Sequence, residues 1–386
     1  MGKYPPMTHK IKTSTEPRIA LVHDRLNVRG GGERVLEEIA NLYPQAPIYT
    51  LIYDPQQFRG SPIADREIRT SFINHLPFAK SRHRFYIPLM PSAIERFDLR
   101  AYDIILSSSA AFAHGVLSHP GQLHISYIHS PMRYAWHQYQ EHLEQMRYGA
   151  YLIKPFLAIL RRWDRAAGQR ADSLLTNSAW TARLIRQAFQ REAKVIYPPV
   201  HTERFNAAKK RKDFYLTVSR LVPYKRVDLI VRAFVSLGNP LIIVGDGPEY
   251  KKLLPLTTPN IKILRRQTEA QLSTLMGEAK AFIYAAQEDF GIAAVEAQAA
   301  GCPVIAYASG GLLETVVDRG TGLFYKEQSV ESIVQAVRKF ESGEIRFSSK
   351  AIVGNAQRFA VEHFRKAFAG YVSNQWEEFS LRKFGK

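Results

Sequence analysis

The chain has 386 residues, 46% hydrophobic and 23% charged, a globular composition with more chain than one ordinary core can use. Its net charge of +18 is spread evenly, with 24 Lys and Arg against 15 Asp and Glu in residues 1–190 and 29 against 20 in residues 191–386, so no single basic tail explains it. One cysteine, Cys302, excludes an intramolecular disulfide framework and fits a reducing, cytoplasmic compartment, and no apolar run reaches the ~18–20 residues that cross a bilayer.

Residues 1–17 are polar and rich in Pro and Lys, without the apolar core of a signal peptide, and are expected to be a mobile tail. A short apolar run at 19–22 reads as a strand, followed by Gly30-Gly31-Gly32 and a helix over about 33–41. Further strands are expected at 102–107, 124–128 and 173–176. Pro198-Pro199 and the charged run 209–212 mark a boundary. Beyond it strands are expected at 214–218, 241–244, 261–264, 281–285 and 303–306, with helices at 227–237 and 269–279 between them. From about 348 to 384 the pattern is helical, and Phe364, Phe368, Val372, Trp376 and Phe379 form an apolar stripe that needs a surface to cover. The alternation predicts an α/β protein of two doubly wound, Rossmann-like domains facing across a cleft. Their expected bounds are 18–205 and 206–360, with residues 361–386 crossing back to the first.

Ligands of open parallel sheets collect at the carboxyl ends of the strands, and several loops of suitable chemistry fall there. Gly30-Gly31-Gly32 follows the first strand and could let backbone approach a phosphate or sugar, although no Gly-x-Gly-x-x-Gly is present and a plain flexible turn is the alternative. His129 ends the strand 124–128 and could donate to a sugar or act as acid or base. Arg220 and Lys225 leave the strand 214–218 and suit a diphosphate; solvated surface charges are the alternative. Gly245-Asp246-Gly247 follows the next strand. Glu288-Asp289-Phe290-Gly291-Ile292 precedes a helix that opens at Gly291 and carries Glu296 about a turn and a half in. Such a helix start offers amide donors to an anion, and the two carboxylates could accept from hydroxyls on either side of it. A phosphate with a polyol on each side is a sugar nucleotide. Cys302, between Gly301 and Pro303, reads as a packed side chain. The histidines lack metal-ligand spacing and Asp-x-Asp is absent, so metal-independent chemistry is expected.

Glu288-Asp-Phe-Gly-Ile292 with Glu296 resembles the Glu-x7-Glu signature of the retaining GT-B glycosyltransferases of family GT4. Ser219-Arg220 with Lys225, Gly245-Asp-Gly-Pro248, Gly301-Cys-Pro-Val-Ile305, Gly310-Gly311 with Glu314, Thr321-Gly322, Gly31-Gly32 and Asn177-Ser178 fall in that family's order. The resemblance covers nearly the whole chain from Arg18. His129-Ser-Pro-Met-Arg-Tyr134, Tyr197-Pro-Pro-Val200 and the stretch 221–228 look like the mannosyltransferases of bacterial O-antigen and exopolysaccharide assembly, which generally use GDP-mannose. The resemblance implies catalytic roles for His129, Arg220, Lys225 and Glu288. It implies donor contacts from Gly31, Gly32, Arg220, Lys225, Arg266, Glu288, Phe290, Gly291, Ile292 and Glu296, with no metal cofactor. Arg220 and Lys225 would hold the diphosphate, Glu288 the donor sugar's hydroxyls, Glu296 the ribose and His129 the sugar's primary hydroxyl. Relatives often carry Gly where Arg265 stands, in a loop near the base.

For the acceptor, a lipid-pyrophosphate-linked saccharide is the expectation, with peripheral contact to an anionic membrane at the inner face of the cytoplasmic membrane. Residues 66–86 carry five Lys and Arg against Glu67, interleaved with Phe72, Ile73, Leu76, Phe78, Phe85 and Tyr86. Residues 147–170 carry six against Asp164, with Leu152, Phe156, Ile159 and Trp163 on one stripe, for which core packing is the alternative. Other readings are a UDP-sugar glycosyltransferase, a GT-B epimerase or phosphorylase, and a basic nucleic-acid-binding protein. The last lacks a recognised binding motif, and its charge is not gathered on one segment.

Overall fold

The computed structural model describes residues 16–137, 139, 150–207 and 210–384. The expected tail up to residue 15, Lys209 of the charged run and the side chain of Leu152 lie outside them. The first half forms a parallel sheet of β1 (Ile19–His23), β2 (Ile48–Thr50), β3 (Ile68–Thr70), β4 (Ile104–Ser109), β5 (Leu123–Ile128), β6 (Ser173–Thr176) and β7 (Lys194–Val195), in the order β3-β2-β1-β4-β5-β6-β7. The second sheet holds β8 (Tyr215–Val218), β9 (Leu241–Val244), β10 (Ile261–Leu264), β11 (Phe282–Tyr284), β12 (Val304–Tyr307) and β13 (Gly322–Tyr325), in the order β10-β9-β8-β11-β12-β13. In both sheets the order reverses beside the first strand, between β1 and β4 and between β8 and β11, which is where a crevice opens in doubly wound folds.

The central strands are buried on both faces, as β4 (Ile-Ile-Leu-Ser-Ser-Ser) and β5 (Leu-His-Ile-Ser-Tyr-Ile) show. Serines survive there because they pair with one another. Ser107 Oγ donates to Ser126 Oγ at 2.8 Å and shares a 2.9 Å hydrogen bond with His124 Nε2.

Helices cover the sheets: α1 (Gly31–Leu42), α2 (Ala150–Ala167), α3 (Ala179–Phe189), α4 (Val227–Leu237), α5 (Glu269–Glu278), α6 (Ile292–Ala299), α7 (Val330–Glu341), α8 (Ser349–Gln357) and α9 (Val361–Phe384). The apolar stripe of α9 finds its surface on the first sheet. Phe364, Phe368 and Val372 are buried in one cluster with Leu21, Val35, Ile104, Ile125 and Tyr127, and each side chain so buried stabilises the fold by roughly 1.5–3 kcal/mol. Polar contacts fasten the same helix: Arg365 Nε donates to Glu38 at 2.7 Å, and Ser173 Oγ to Gln375 Oε1 at 2.6 Å.

In α2 the buried face consists of Leu157, Leu160, Asp164 and Ala167, spaced by threes and fours. Trp163 flanks that face and donates from Nε1 to Glu95 at 2.7 Å. A Cβ on Gly115 would stand 2.4 Å from the Trp163 ring, so this tryptophan is packed inward. The core reading therefore holds for Trp163, whereas Ile159 is 63% exposed. Among the described residues, no helix is long and apolar enough to cross a membrane.

Candidate active site

Lys225 and Glu288 meet in the crevice of the second sheet. Lys225 lies at the end of the loop leaving β8, and Glu288 follows β11, the neighbouring strand. Their side chains form an ion pair, each 13% exposed. Tyr284 Oη donates to Glu288 Oε1 at 3.0 Å and accepts from Lys225 Nζ at 3.3 Å. Burial by itself would lower the Lys225 ammonium's pKa, but the Glu288 carboxylate outweighs it and holds the group above its ordinary value. Lys225 therefore presents a permanent charge.

Two glycine pairs make these loops possible. Leu221 N donates to Asp246 O at 2.9 Å, and a Cβ on Gly245 would lie 2.0 Å from Ser219 O. Gly245 and Gly247 thus leave room for the backbone that carries Arg220 and Lys225. Gly310 has φ +69, and its Cβ would lie 2.2 Å from Glu288 O; Gly311 N donates to that same oxygen at 2.7 Å. The carboxylate loop is clamped by direct backbone approach. Gly291, with φ +92, then starts α6.

The first sheet contributes His129. Its Nε2 shares a 2.8 Å hydrogen bond with Ser108 Oγ, and Asn177 Nδ2 donates to its carbonyl at 2.9 Å. Burial, helped by the charge of His23, lowers its pKa to about 4, so near neutral pH it is an uncharged imidazole. A Cβ on Gly32 would stand 3.4 Å from His129 Nε2, which places the start of α1 against the ring. Gly31 reaches across the crevice: its Cβ would stand 2.9 Å from Ile292 Cδ1. The amino ends of α1 and α6 consequently face each other.

Further contacts join the lobes. Arg34 Nη1 donates to Glu296 Oε1 at 2.5 Å, and Arg133 Nη2 to Asp289 Oδ2 at 2.5 Å. Glu314 accepts from Ala179 N at 2.9 Å and Trp180 N at 3.0 Å, so it caps α3 from the opposite lobe. Between these contacts lies a cavity of about 130 Å³, lined by Arg133, Trp180, Tyr224, Glu288, Asp289 and Tyr307 among others.

Of the expected residues, Glu288 lines the cavity and pairs with Lys225, while Gly31 meets Ile292, Gly32 meets His129 and Glu296 meets Arg34 where the lobes touch. Phe290 is buried against Val200, Val295 and Phe359. Arg220 is exposed, and its charge bears on His83 of the other lobe. Arg266 stands apart: it follows edge strand β10, is exposed, and no contact among the described residues ties it to Lys225 or Glu288. Arg265 lies over the Tyr250 ring at 4.6 Å. Cys302 is buried, and burial pushes its thiol up to about 12, the behaviour of a packed side chain. No group of three or more His, Cys, Asp or Glu placed to hold a metal occurs among the described residues.

Sequence reasoning missed Arg34, Arg133, Tyr284 and Asp24. Asp24, directly after β1, accepts from the amides of Ala110, Ala111, Phe112 and Ala113 at 2.6–3.0 Å and fixes the loop after β4. Burial would raise its pKa, but the charge of His23 and these amides hold it below the usual carboxylate value. A carboxylate immediately after a strand, in His23-Asp24-Arg25, was the available signal.

Comparison with known proteins fits this geometry. Residues 29–204 match the model of Glycosyltransferase Family 4, and residues 201–359 match that of Glycosyl transferases group 1. The chain is 32% identical over 213 residues to a GDP-mannose-dependent alpha-(1-6)-phosphatidylinositol monomannoside mannosyltransferase of Mycobacterium tuberculosis, covering 47% of this chain and 55% of that one. It is 26% identical over 244 residues to the mouse (Mus musculus) alpha-1,3/1,6-mannosyltransferase ALG2, covering 53% and 59%. The chain thus spans little more than half the length of these curated relatives. Among solved structures, Anabaena HepE in complex with UDP and glucose superimposes with a TM-score of 0.68 at 18% identity, covering 93% of this chain and 100% of that one. The fold is GT-B. The chain carries a Glycosyltransferase Family 4 domain followed by a Glycosyl transferases group 1 domain.

Proposed function

We propose that the protein transfers a hexosyl group, with retention and without a metal, from a nucleotide sugar to a saccharide acceptor in surface polysaccharide assembly. One observation supports this reading: Glu288, paired with Lys225, lines the same cavity as Arg133 and Trp180 of the other lobe, and Gly31 of α1 packs on Ile292 of α6. Arg220 and Lys225 hold the diphosphate, Glu288 and His129 the sugar, Glu296 the ribose, and Gly31 and the α6 amides lie against the donor. Residues 18–205 serve the acceptor and residues 206–360 the donor. The acceptor oxygen bonds to the anomeric carbon on the face from which the phosphate leaves. The departing phosphate oxygen takes the acceptor's proton. Negative charge grows on that oxygen as the bond breaks, and fixed cations there lower the barrier by a few kcal/mol per well-placed donor.

GDP-mannose is the donor we propose, because the matched relatives include mannosyltransferases and one is named for GDP-mannose. The test is a panel of GDP- and UDP-sugars, followed by thermal stabilisation and slow hydrolysis. A preference for GDP-mannose is expected; a response to UDP-sugars alone would transfer the reading to a UDP-sugar enzyme.

Peripheral membrane contact belongs to the same reading. Phe78 and Phe85 are 70% and 74% exposed, beside exposed Lys80, Arg82 and Arg84. Flotation with anionic vesicles at low salt is expected for the wild type and not for Phe78→Ser/Phe85→Ser. Flotation equal in both, or absent in the wild type, counts against this surface.

A further inference from the structure

No Asp or Glu lies between Glu67 and Glu95, and within that stretch His83, followed by exposed Arg84, comes to rest beside the loop that leaves β1. Asn27 makes the junction. Its Nδ2 donates to Lys80 O at 2.9 Å and is 3.0 Å from His83 Nδ1. A carbonyl can only accept, so Lys80 O fixes which end of the Asn27 amide is the nitrogen. His83 Nδ1 then accepts the second Nδ2 hydrogen. In the neutral ring the proton sits on Nε2, which becomes a donor held at a set angle.

Two residues before Asn27 stands Arg25. Its Nε is buried and has no hydrogen-bond partner among the described residues. The charges of Arg25, Arg84 and Arg220 all bear on His83, and no carboxylate does so among the described residues. Burial and these three cations lower the His83 pKa to about 4. Asp24 and Asp164 share the surroundings of Tyr134 with Arg25, so it is on the His83 side that the three cations face one another without a counter-charge, and a bound anion there removes that repulsion. Arg220 also belongs to the proposed donor site, so this cluster adjoins the reacting groups from the side of the first lobe. Exposed Val28, Phe78 and Phe85 lie close to it in sequence.

We propose that Arg25, Arg84 and the His83 Nε2–H form a receptor for a phosphoryl or diphosphoryl group on the acceptor, distinct from the donor diphosphate held by Arg220 and Lys225. This assignment rests on the glycosyl-transfer reading and adds the acceptor's chemistry to it. The guanidinium forks give charge-assisted hydrogen bonds to phosphate oxygens, and the imidazole adds a neutral donor.

The experiment loads the full chain with saturating GDP, or UDP if the donor panel selects it, so that the donor site is filled. Geranyl diphosphate and, separately, inorganic pyrophosphate are then titrated by calorimetry. The expected result is a second binding event that Arg25→Gln and Arg84→Gln each weaken on the order of tenfold, with nucleotide affinity unchanged. Should Arg25→Gln fail to fold, Arg84→Gln, at an exposed position, carries the test. Tighter binding of the geranyl ester assigns the anion to a lipid-linked acceptor; equal binding assigns it to a soluble phosphorylated one. Absence of a second event on nucleotide-loaded protein, or equal affinity in wild type and variants, overturns the receptor while leaving the donor site intact. Failure of every nucleotide to bind would instead overturn the glycosyl-transfer reading.

Discussion

His129 is buried as a neutral imidazole between Ser108 and the start of α1, with its pKa lowered to about 4; His124, bonded to Ser107 within the first sheet, is lowered to about 3, burial being the main cause in each case. In the unfolded chain both would titrate near their ordinary value of 6.5. Below that value the unfolded state binds more protons than the folded one, so the stability these residues contribute is full above pH 6.5 and is lost as pH falls toward 4. The expected loss is on the order of a few kcal/mol, measured as the free energy of urea unfolding across that window. His129→Gln and His124→Gln, which remove the titration, should flatten the profile between pH 6.5 and 4. A profile unchanged by both substitutions would show that these rings do not titrate as their burial requires.

At the scale of elements, the carboxylate loop is shaped by what its neighbours lack. Gly310 and Gly311 touch the backbone of Glu288 and Asp289 so closely that a methyl group has no place. Gly310→Ala is expected to lower stability by roughly 1–3 kcal/mol and to reduce transfer further by displacing Glu288. Gly343→Ala is the control. It shares the positive φ, +72, but would meet nothing within 4 Å, so it should cost no more than about 1–2 kcal/mol with activity retained. Equal effects in thermal unfolding and in rate would dismiss the clamp.

The same scale shows what the sequence made legible. Strands with three or more apolar or β-branched residues among at least four, such as β5, β9 and β10, stand where the pattern puts them, and α4 spans the expected 227–237. β2, β3 and β7 have only two or three residues, too few for a period, and are specified by pairing with neighbours already in place. Glu288 and Lys225 were visible because each follows an apolar run, 281–285 and 214–218, that reads as a buried strand. Arg34 and Arg133 were not, because their partners, Glu296 and Asp289, lie 262 and 156 residues away and become neighbours only when the lobes meet.

For the whole molecule, glycosyl transfer of the proposed kind needs two sheets that present their carboxyl ends to one crevice. Arg34–Glu296, Arg133–Asp289, the Glu314 cap on α3 and the packing of Gly31 on Ile292 hold that juxtaposition. Helix α9, rooted by Phe364 and Phe368 in the first lobe, follows directly on the second lobe and ties them together again. The most direct test is calorimetric titration of GDP and UDP into the wild type, Arg220→Gln and Lys225→Met. Micromolar or tighter binding of one nucleotide is expected for the wild type, weakened on the order of tenfold or more in each variant. Undiminished nucleotide affinity in both variants would contradict the proposed function.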